Sequence, residues 1–324
     1  MKKYILIIFI VNVKIIFIPF LILIIIYINK YYKYYFFCQD CIFMKIIDSE
    51  CSKCTNDILF SSIKVKSVDE TLDEIIKNNK SIARFGDGEF DIIFGIDRRF
   101  QPFNESLKKK LLKVLNSHNR NLLVGIMRLK NISNPFWINY MKKNKFKLGK
   151  VINKHKIYYS SMITRFYGPN ISKIKLRNYV NKVKSIWNNR NILIIEGEKT
   201  RLGVGNDLFN NSKSIKRIIC PSENAFKVYE IIIDYIKNLK LELKTLILIS
   251  LGQTATALTY DLSKFGYQII DFGHFDIQYE FFLRNATKPI IIPNKYVNEV
   301  AGGAKNISSV QDKNYYNEII YKIS

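Results

Sequence analysis

From residue 63 onward, short unbroken apolar runs alternate with stretches of helical periodicity. The runs are Ser81 to Phe85, Asn121 to Met127, Asn191 to Ile195, Ile215 to Cys220, Thr245 to Ser250 and Tyr267 to Asp271. A strand that is apolar at successive positions is buried on both faces, so its sheet must be covered by helices on each side. Between the runs lie helix starts and amphipathic segments. Ser67-Val-Asp-Glu70 is a capping box opening a helix to Asn78, and Asn104 caps one from Glu105 to Ser117. Further helices are expected over Ser172 to Trp187, from a Ser222 cap to about Leu239, and from Leu251-Gly252-Gln253-Thr254 to Lys264. This β-α-β order predicts an α/β fold with a mostly parallel sheet. No internal repeat or long Pro/Gly/Ser linker divides it, so residues 62–310 read as one domain, followed by a polar, loosely held tail over 311–324.

The first 61 residues differ from the rest. Tyr4 to Ile28 is almost wholly apolar, broken by Asn12, Lys14 and Pro19. At about 1.5 Å per residue such a helix can cross a hydrocarbon layer of ~30 Å. The aromatic and basic cluster Lys30-Tyr-Tyr-Lys33-Tyr-Tyr suits an interface, and no small-residue cleavage site precedes it. Residues 1–30 therefore read as an uncleaved transmembrane anchor. Residues 31–61 form a linker carrying Cys38-x2-Cys41 and Cys51-x2-Cys54. Four thiolates in two such pairs could close a structural Zn²⁺ site, and two disulfides are the alternative. Cys220, the fifth cysteine, lies in an apolar run and reads as a core thiol.

The net charge of +24 is large, but the basic residues are scattered through a chain rich in Ile, Lys, Asn and Tyr. No RNP, zinc-finger or helix-turn-helix pattern accompanies them, so no specific nucleic-acid partner is expected.

In open α/β sheets ligands sit at the carboxyl ends of strands, and three polar clusters fall there. The first is Arg84-Phe-Gly86-Asp87-Gly88-Glu89. Its glycines permit tight turns, and two acids one residue apart could face one hard cation. The second runs from Glu196 to Asp207 and contains Arg201, Gly203 and Asn206; backbone N–H groups and Arg201 could meet phosphate there. The third, Asp271-Phe-Gly273-His274-Phe-Asp276-Ile-Gln-Tyr-Glu280, could supply a general base. Each cluster alone is equally well an ordinary solvated loop or capped helix start.

Taken together with Arg217 to Phe226 and Ser250 to Thr256, these clusters occur in an order that resembles the GT-D-fold glycosyltransferases. The resemblance runs from about Ile63 to Val300. It implies a Rossmann-like core, transfer of a sugar from a nucleotide-sugar donor (typically a UDP-sugar) to a glycan or glycoprotein acceptor, and a divalent ion, Mn²⁺ or Mg²⁺. By the same resemblance Asp87 and Glu89 hold metal and nucleotide. His274 and Glu280 are implicated in activity; Glu280 is the first choice for the base, with His274 and Asp276 as alternatives. Arg84, Gly86, Gly88, Arg201, Gly203, Asn206, Arg217, Gly252 and Thr254 are expected around the substrate. Where the family often has Gly-Pro-Thr, this chain has Gly252-Gln253-Thr254. The resembling enzymes mostly work on the cytoplasmic face, so the catalytic domain is expected there, with the lumenal side left open. Two other readings predict different behaviour. A methyltransferase using Ser250-Leu-Gly252 as its cofactor turn would need no metal, and a tethered binding module would show no turnover.

Overall fold

The computed structural model describes residues 60, 62–129, 134–168, 170–305 and 307–323. The expected membrane anchor and the Cys38, Cys41, Cys51 and Cys54 pairs lie outside these residues. Among the described residues no helix is long and apolar enough to cross a membrane.

Nine strands among the described residues form one sheet. In chain order they are β1 (Lys64–Val65), β2 (Ser81–Arg84), β3 (Leu122–Ile126), β4 (Ile157–Ser160), β5 (Asn191–Gly197), β6 (Ser214–Cys220), β7 (Leu246–Ser250), β8 (Gln268–Asp271) and β9 (Ile319–Lys322). Their spatial order is β1-β4-β3-β2-β8-β7-β5-β6-β9, and every pairing is parallel. The six apolar runs read from sequence are all strands. β1 has only two residues and pairs with β4, Ile-Tyr-Tyr-Ser, at one edge; β9, Ile-Ile-Tyr-Lys at the other edge, is mostly apolar but falls in the segment expected as a tail.

The unbroken apolar character has the expected cause. Leu193 and Ile195 of β5, with Ile247 and Ile249 of β7, pack into one core. Their neighbours Ile192, Ile194, Leu246 and Leu248 pack into the other. Successive side chains point to opposite faces, so both layers draw on the same strands. The first core is covered by α3 (Glu105–Leu115), α4 (Pro135–Val151), α6 (Tyr229–Asn238) and α7 (Gln253–Ser263). The second is covered by α1 (Val68–Lys77), α5 (Lys173–Lys184) and α8 (Phe275–Leu283). Two short helices complete the set: α2 (Asp87–Ile93) and α9 (Lys313–Glu318). Each fully buried Ile or Leu contributes about 1.5–3 kcal/mol, so this double core dominates the stability.

Local signals behave as the sequence suggests at α1, where the Ser67 hydroxyl accepts from Glu70 N at 3.1 Å and Glu70 accepts from Ser67 N at 2.8 Å. Two expectations are corrected. Ser222 does not cap a long helix. Its hydroxyl accepts from Lys199 N, and a 3₁₀ turn over Ala225–Val228 precedes α6. The residues expected as a loose tail are not loose: α9 leads into β9, which pairs with β6, and Tyr321 stacks on Tyr235 at 4.0 Å.

Candidate active site

β5 continues to β6 on one side of the sheet, while β7 continues to β8 on the other. Such a divergence leaves a crevice beyond the strand ends. A cleft of about 890 Å³ opens there, with walls from the ends of β2, β5, β7 and β8.

The acid loop forms one wall. Gly86 precedes α2, and Glu89 Oε2 accepts from Gly86 N at 2.7 Å, which fixes the turn. Burial, and next the charge of Asp271, pushes the Glu89 carboxyl up to about 7. Asp87 Oδ2 meets Arg98 Nη2 at 2.8 Å, and Arg98 Nη1 meets Asp91 Oδ2 at 2.7 Å. The Tyr140 hydroxyl donates to Asp91 Oδ1 at 2.8 Å and also approaches the Asp87 carbonyl at 3.2 Å. Burial and the Asp91 carboxylate raise the Tyr140 pKa, so it stays a donor. A Cβ on Gly88 would lie 2.1 Å from Gln253 Nε2, so any larger residue there would have to push that side chain aside.

Arg84, at the end of β2, is clamped onto β8. Its Nε donates to the Asp271 carbonyl at 2.6 Å and its Nη2 to Asp271 Oδ1 at 2.8 Å. Gly273 has φ +49, and a Cβ on it would lie 1.9 Å from Arg84 Nη2. Thr256 ties the pair together by donating to the Arg84 carbonyl at 2.9 Å. Burial raises the Asp271 carboxyl even though Arg84 opposes it.

His274 begins the third wall. Arg165 Nη2 donates to its Nδ1 at 3.0 Å, which leaves the proton on Nε2 for Asn298 Oδ1 at 2.8 Å. Burial, then Arg165, holds this imidazole down to about 4. Arg165 also pairs with Glu299, whose Oε2 has no partner among the described residues. Burial would raise Glu299, but His274 and Arg165 bring it below the usual range.

The structure brings Arg84, Gly86, Asp87, Gly88, Glu89, Gly252, His274 and Asp276 to one cleft. It does not bring the others there. Glu280, expected as the base, lies behind the wall. Its Oε1 accepts from Lys295 Nζ at 3.0 Å and Asn206 Nδ2 at 2.7 Å, and Oε2 from Arg284 Nε at 3.2 Å. Asp276 lines the cleft, but Gly203 N, Asn206 Nδ2 and Lys295 Nζ occupy both its oxygens. Asn206 and Gly203 thus hold the wall and do not face a ligand. Arg201 Nη1 donates to the carbonyls of Asn294 and Ser308. Arg217 is buried between Glu196 at 2.6 Å and Glu318 at 2.6 Å, and burial keeps Glu196 above the usual carboxylate range despite that partner. Thr254 is buried and donates to Gln101. Arg217, Thr254, Asp276 and Glu280 are buried, and the low dielectric of the interior demands a partner for each such charge or hydroxyl.

Sequence reasoning missed Arg98, Tyr140, Arg165, Lys295, Asn298 and Glu299. None sits in a recognisable motif, and only pairing across the fold reveals them. The signal that existed was Asn298-Glu299, one polar pair just inside the end of the resemblance.

A parallel α/β sheet with a cleft of acids and guanidinium groups at its switch point is a Rossmann-like architecture suited to a charged, phosphate-bearing ligand. Residues 82–300 match the family described as glycosyltransferase GT-D fold, and the chain belongs to that family. It is 35% identical over 270 residues to "Glycosyltransferase GlyD" of Streptococcus pneumoniae serotype 4, covering 81% of this chain and 33% of that relative. It is 34% identical over 245 residues to "Probable glycosyl transferase Gly" of Streptococcus gordonii, covering 73% and 36%. The chain therefore spans about a third of the length of the curated relatives it matches. One solved structure, reported as a highly conserved domain of unknown function with a distinct glycosyltransferase fold, aligns with a TM-score of 0.78 at 34% identity, over 84% of this chain and 99% of that one. Another, a new glycosyltransferase from Streptococcus sanguinis, aligns with a TM-score of 0.75 at 31% identity, over 81% and 100%. Membership sets aside the methyltransferase and binding-module readings.

Proposed function

We propose that the chain transfers a sugar from a nucleotide sugar, a UDP-sugar first, to a hydroxyl of a glycan or glycoprotein acceptor in the presence of Mn²⁺ or Mg²⁺. The observation that carries this reading is the mixed charge of one cleft. Asp87 and Glu89 stand beside the guanidinium groups of Arg84, Arg98 and Arg165. The guanidinium groups suit a diphosphate, whereas the two acids would repel it unless a cation lay between. Asp87 already draws a cation, Arg98, at 2.8 Å.

Among the described residues no group of three or more His, Cys, Asp or Glu side chains is arranged to hold a metal. Mg²⁺ needs no such cage, because it is commonly bound by one or two carboxylates with phosphate oxygens and water. Asp87 would hold it, with Glu89 behind. Bound there, the ion supplies charge neutralisation for the departing nucleoside diphosphate. Arg98 keeps the Asp87 carboxylate oriented. Arg165 and His274 hold Glu299 in the cleft wall, its Oε1 against Arg165 and its Oε2 buried, so this carboxylate shapes the wall. Glu280 is a support for this wall.

The test is a screen of UDP-, GDP- and dTDP-sugars for hydrolysis with Mn²⁺ or Mg²⁺ and with chelator. Chelator-resistant turnover would remove the metal from this reading, and folded protein without turnover on any donor would remove the donor class. The apolar run of residues 4–28 supports a membrane anchor; the cytoplasmic face for the catalytic domain follows from the resemblance to enzymes that work there. Digestion of the domain by protease added outside intact cells would reverse that orientation.

A further inference from the structure

At the start of α4 the chain carries Asn134-Pro135-Phe136-Trp137, and three of these residues, Asn134, Phe136 and Trp137, line the cleft. Phe136 is 54% exposed. Phe136 is packed on one side by Trp137 and Tyr140 and open on the other, so its free face is available to a ligand in the cleft. Its surroundings are ordered for one. Phe136 lies nearly parallel to Tyr140, with ring centroids 6.2 Å apart and planes 20° from parallel. Trp137 meets both rings edge-on, at 5.4 and 5.6 Å. The three rings make one continuous shelf.

The shelf is joined to the acid loop. Tyr140 carries its ring against Phe136 and Trp137 and its hydroxyl at 3.2 Å from the Asp87 carbonyl. A ligand with phosphates at Asp87 therefore meets this shelf with its adjoining part. Asn134 adds a polar edge. Its Oδ1 accepts from Trp137 N at 3.3 Å, which leaves its exposed Nδ2 to donate outward.

We propose that Phe136, backed by Trp137 and Tyr140, is the platform on which the flat nucleobase of the donor stacks, with Asn134 Nδ2 donating to a ring carbonyl such as that of a uracil. A base presents a π face to the ring and acceptor oxygens at its rim, which is the complement of an aromatic shelf with one amide donor. This inference rests on the nucleotide-sugar reading.

The two can fail separately. UDP is titrated into the full protein with Mn²⁺, and Trp137 emission is followed. The chain has two tryptophans, and Trp187 is fully buried, so quenching reports on Trp137 and is lost in Trp137→Phe. Phe136→Ala should weaken UDP roughly tenfold, leave inorganic pyrophosphate unchanged, and be rescued by Phe136→Tyr. Phe136 is exposed, so the variant is expected to keep its melting temperature. Equal UDP affinity in wild type and Phe136→Ala overturns the platform while leaving the donor reading intact. Equal loss for UDP and pyrophosphate overturns it too, because the ring would then act on the phosphate site. No UDP binding by the wild type overturns the UDP-donor reading and the uracil platform with it, and the GDP- and dTDP-sugars of the hydrolysis screen then decide the donor class.

Discussion

Arg98 Nη2 lies 2.8 Å from Asp87 Oδ2, so the acid expected to hold a metal is already held by a guanidinium. The same guanidinium spans to Asp91. Asp87 therefore has a fixed orientation before any ligand arrives, and an arriving ion would share or displace one arm of Arg98. Asp87→Asn should lower metal-dependent donor hydrolysis by at least about a hundredfold. The pair is partly exposed and Arg98 keeps Asp91, so the loss of stability should stay within about 1 kcal/mol. Hydrolysis rate and urea unfolding of the same protein check both halves, and near-normal turnover would remove Asp87 from the site.

Glu280 and Lys295 give the second prediction. Lys295 is fully buried and reaches Asp276 Oδ2 at 2.7 Å and Glu280 Oε1 at 3.0 Å. Lys295→Met strands two buried carboxylates and should cost about 3–5 kcal/mol in urea unfolding. Glu280→Gln keeps most hydrogen bonds and should change turnover by less than about tenfold, whereas loss of a true general base costs about 10²–10⁴. A drop of that larger size at unchanged stability would return the base role to Glu280.

Acid sensitivity should follow His274. In the folded protein its pKa is held near 4, against an ordinary 6.5. Between those values the unfolded chain binds the extra proton and the folded one does not, so stability falls as pH drops from about 6.5 toward 4. His274→Gln should flatten that part of the curve. Urea unfolding of both proteins at pH 7, 5.5 and 4.5 measures the difference, and parallel curves would show that His274 is not held neutral.

Deleting residues 311–324 should destabilise the domain by roughly 3 kcal/mol or more. The deletion removes β9 from the sheet and takes Glu318 from buried Arg217. Chemical denaturation of the shortened chain is the check. A midpoint like that of the intact protein would restore the picture of a loose tail.

Read by itself, the sequence determined the sheet and its layering. Runs such as Ile192 to Ile195 are apolar at every position because both faces are buried, a constraint written locally in consecutive residues. It also placed Asp87, Glu89 and His274 at strand ends, because a polar cluster after an apolar run marks the edge where ligands bind. The partners of those residues had no such mark. Arg98, Arg165, Lys295 and Glu299 are distant in sequence or lie outside any motif, and an ionisable side chain looks the same in a sequence whether it faces substrate or another charge. Only the tertiary structure could turn Glu280 and Arg217 inward, since the choice rests on which opposite charge burial leaves within about 3 Å. It likewise decided that the last residues complete the sheet: Ile319 to Ile323 is mostly apolar in the sequence too, but its place beside β6 is set by pairing across the fold.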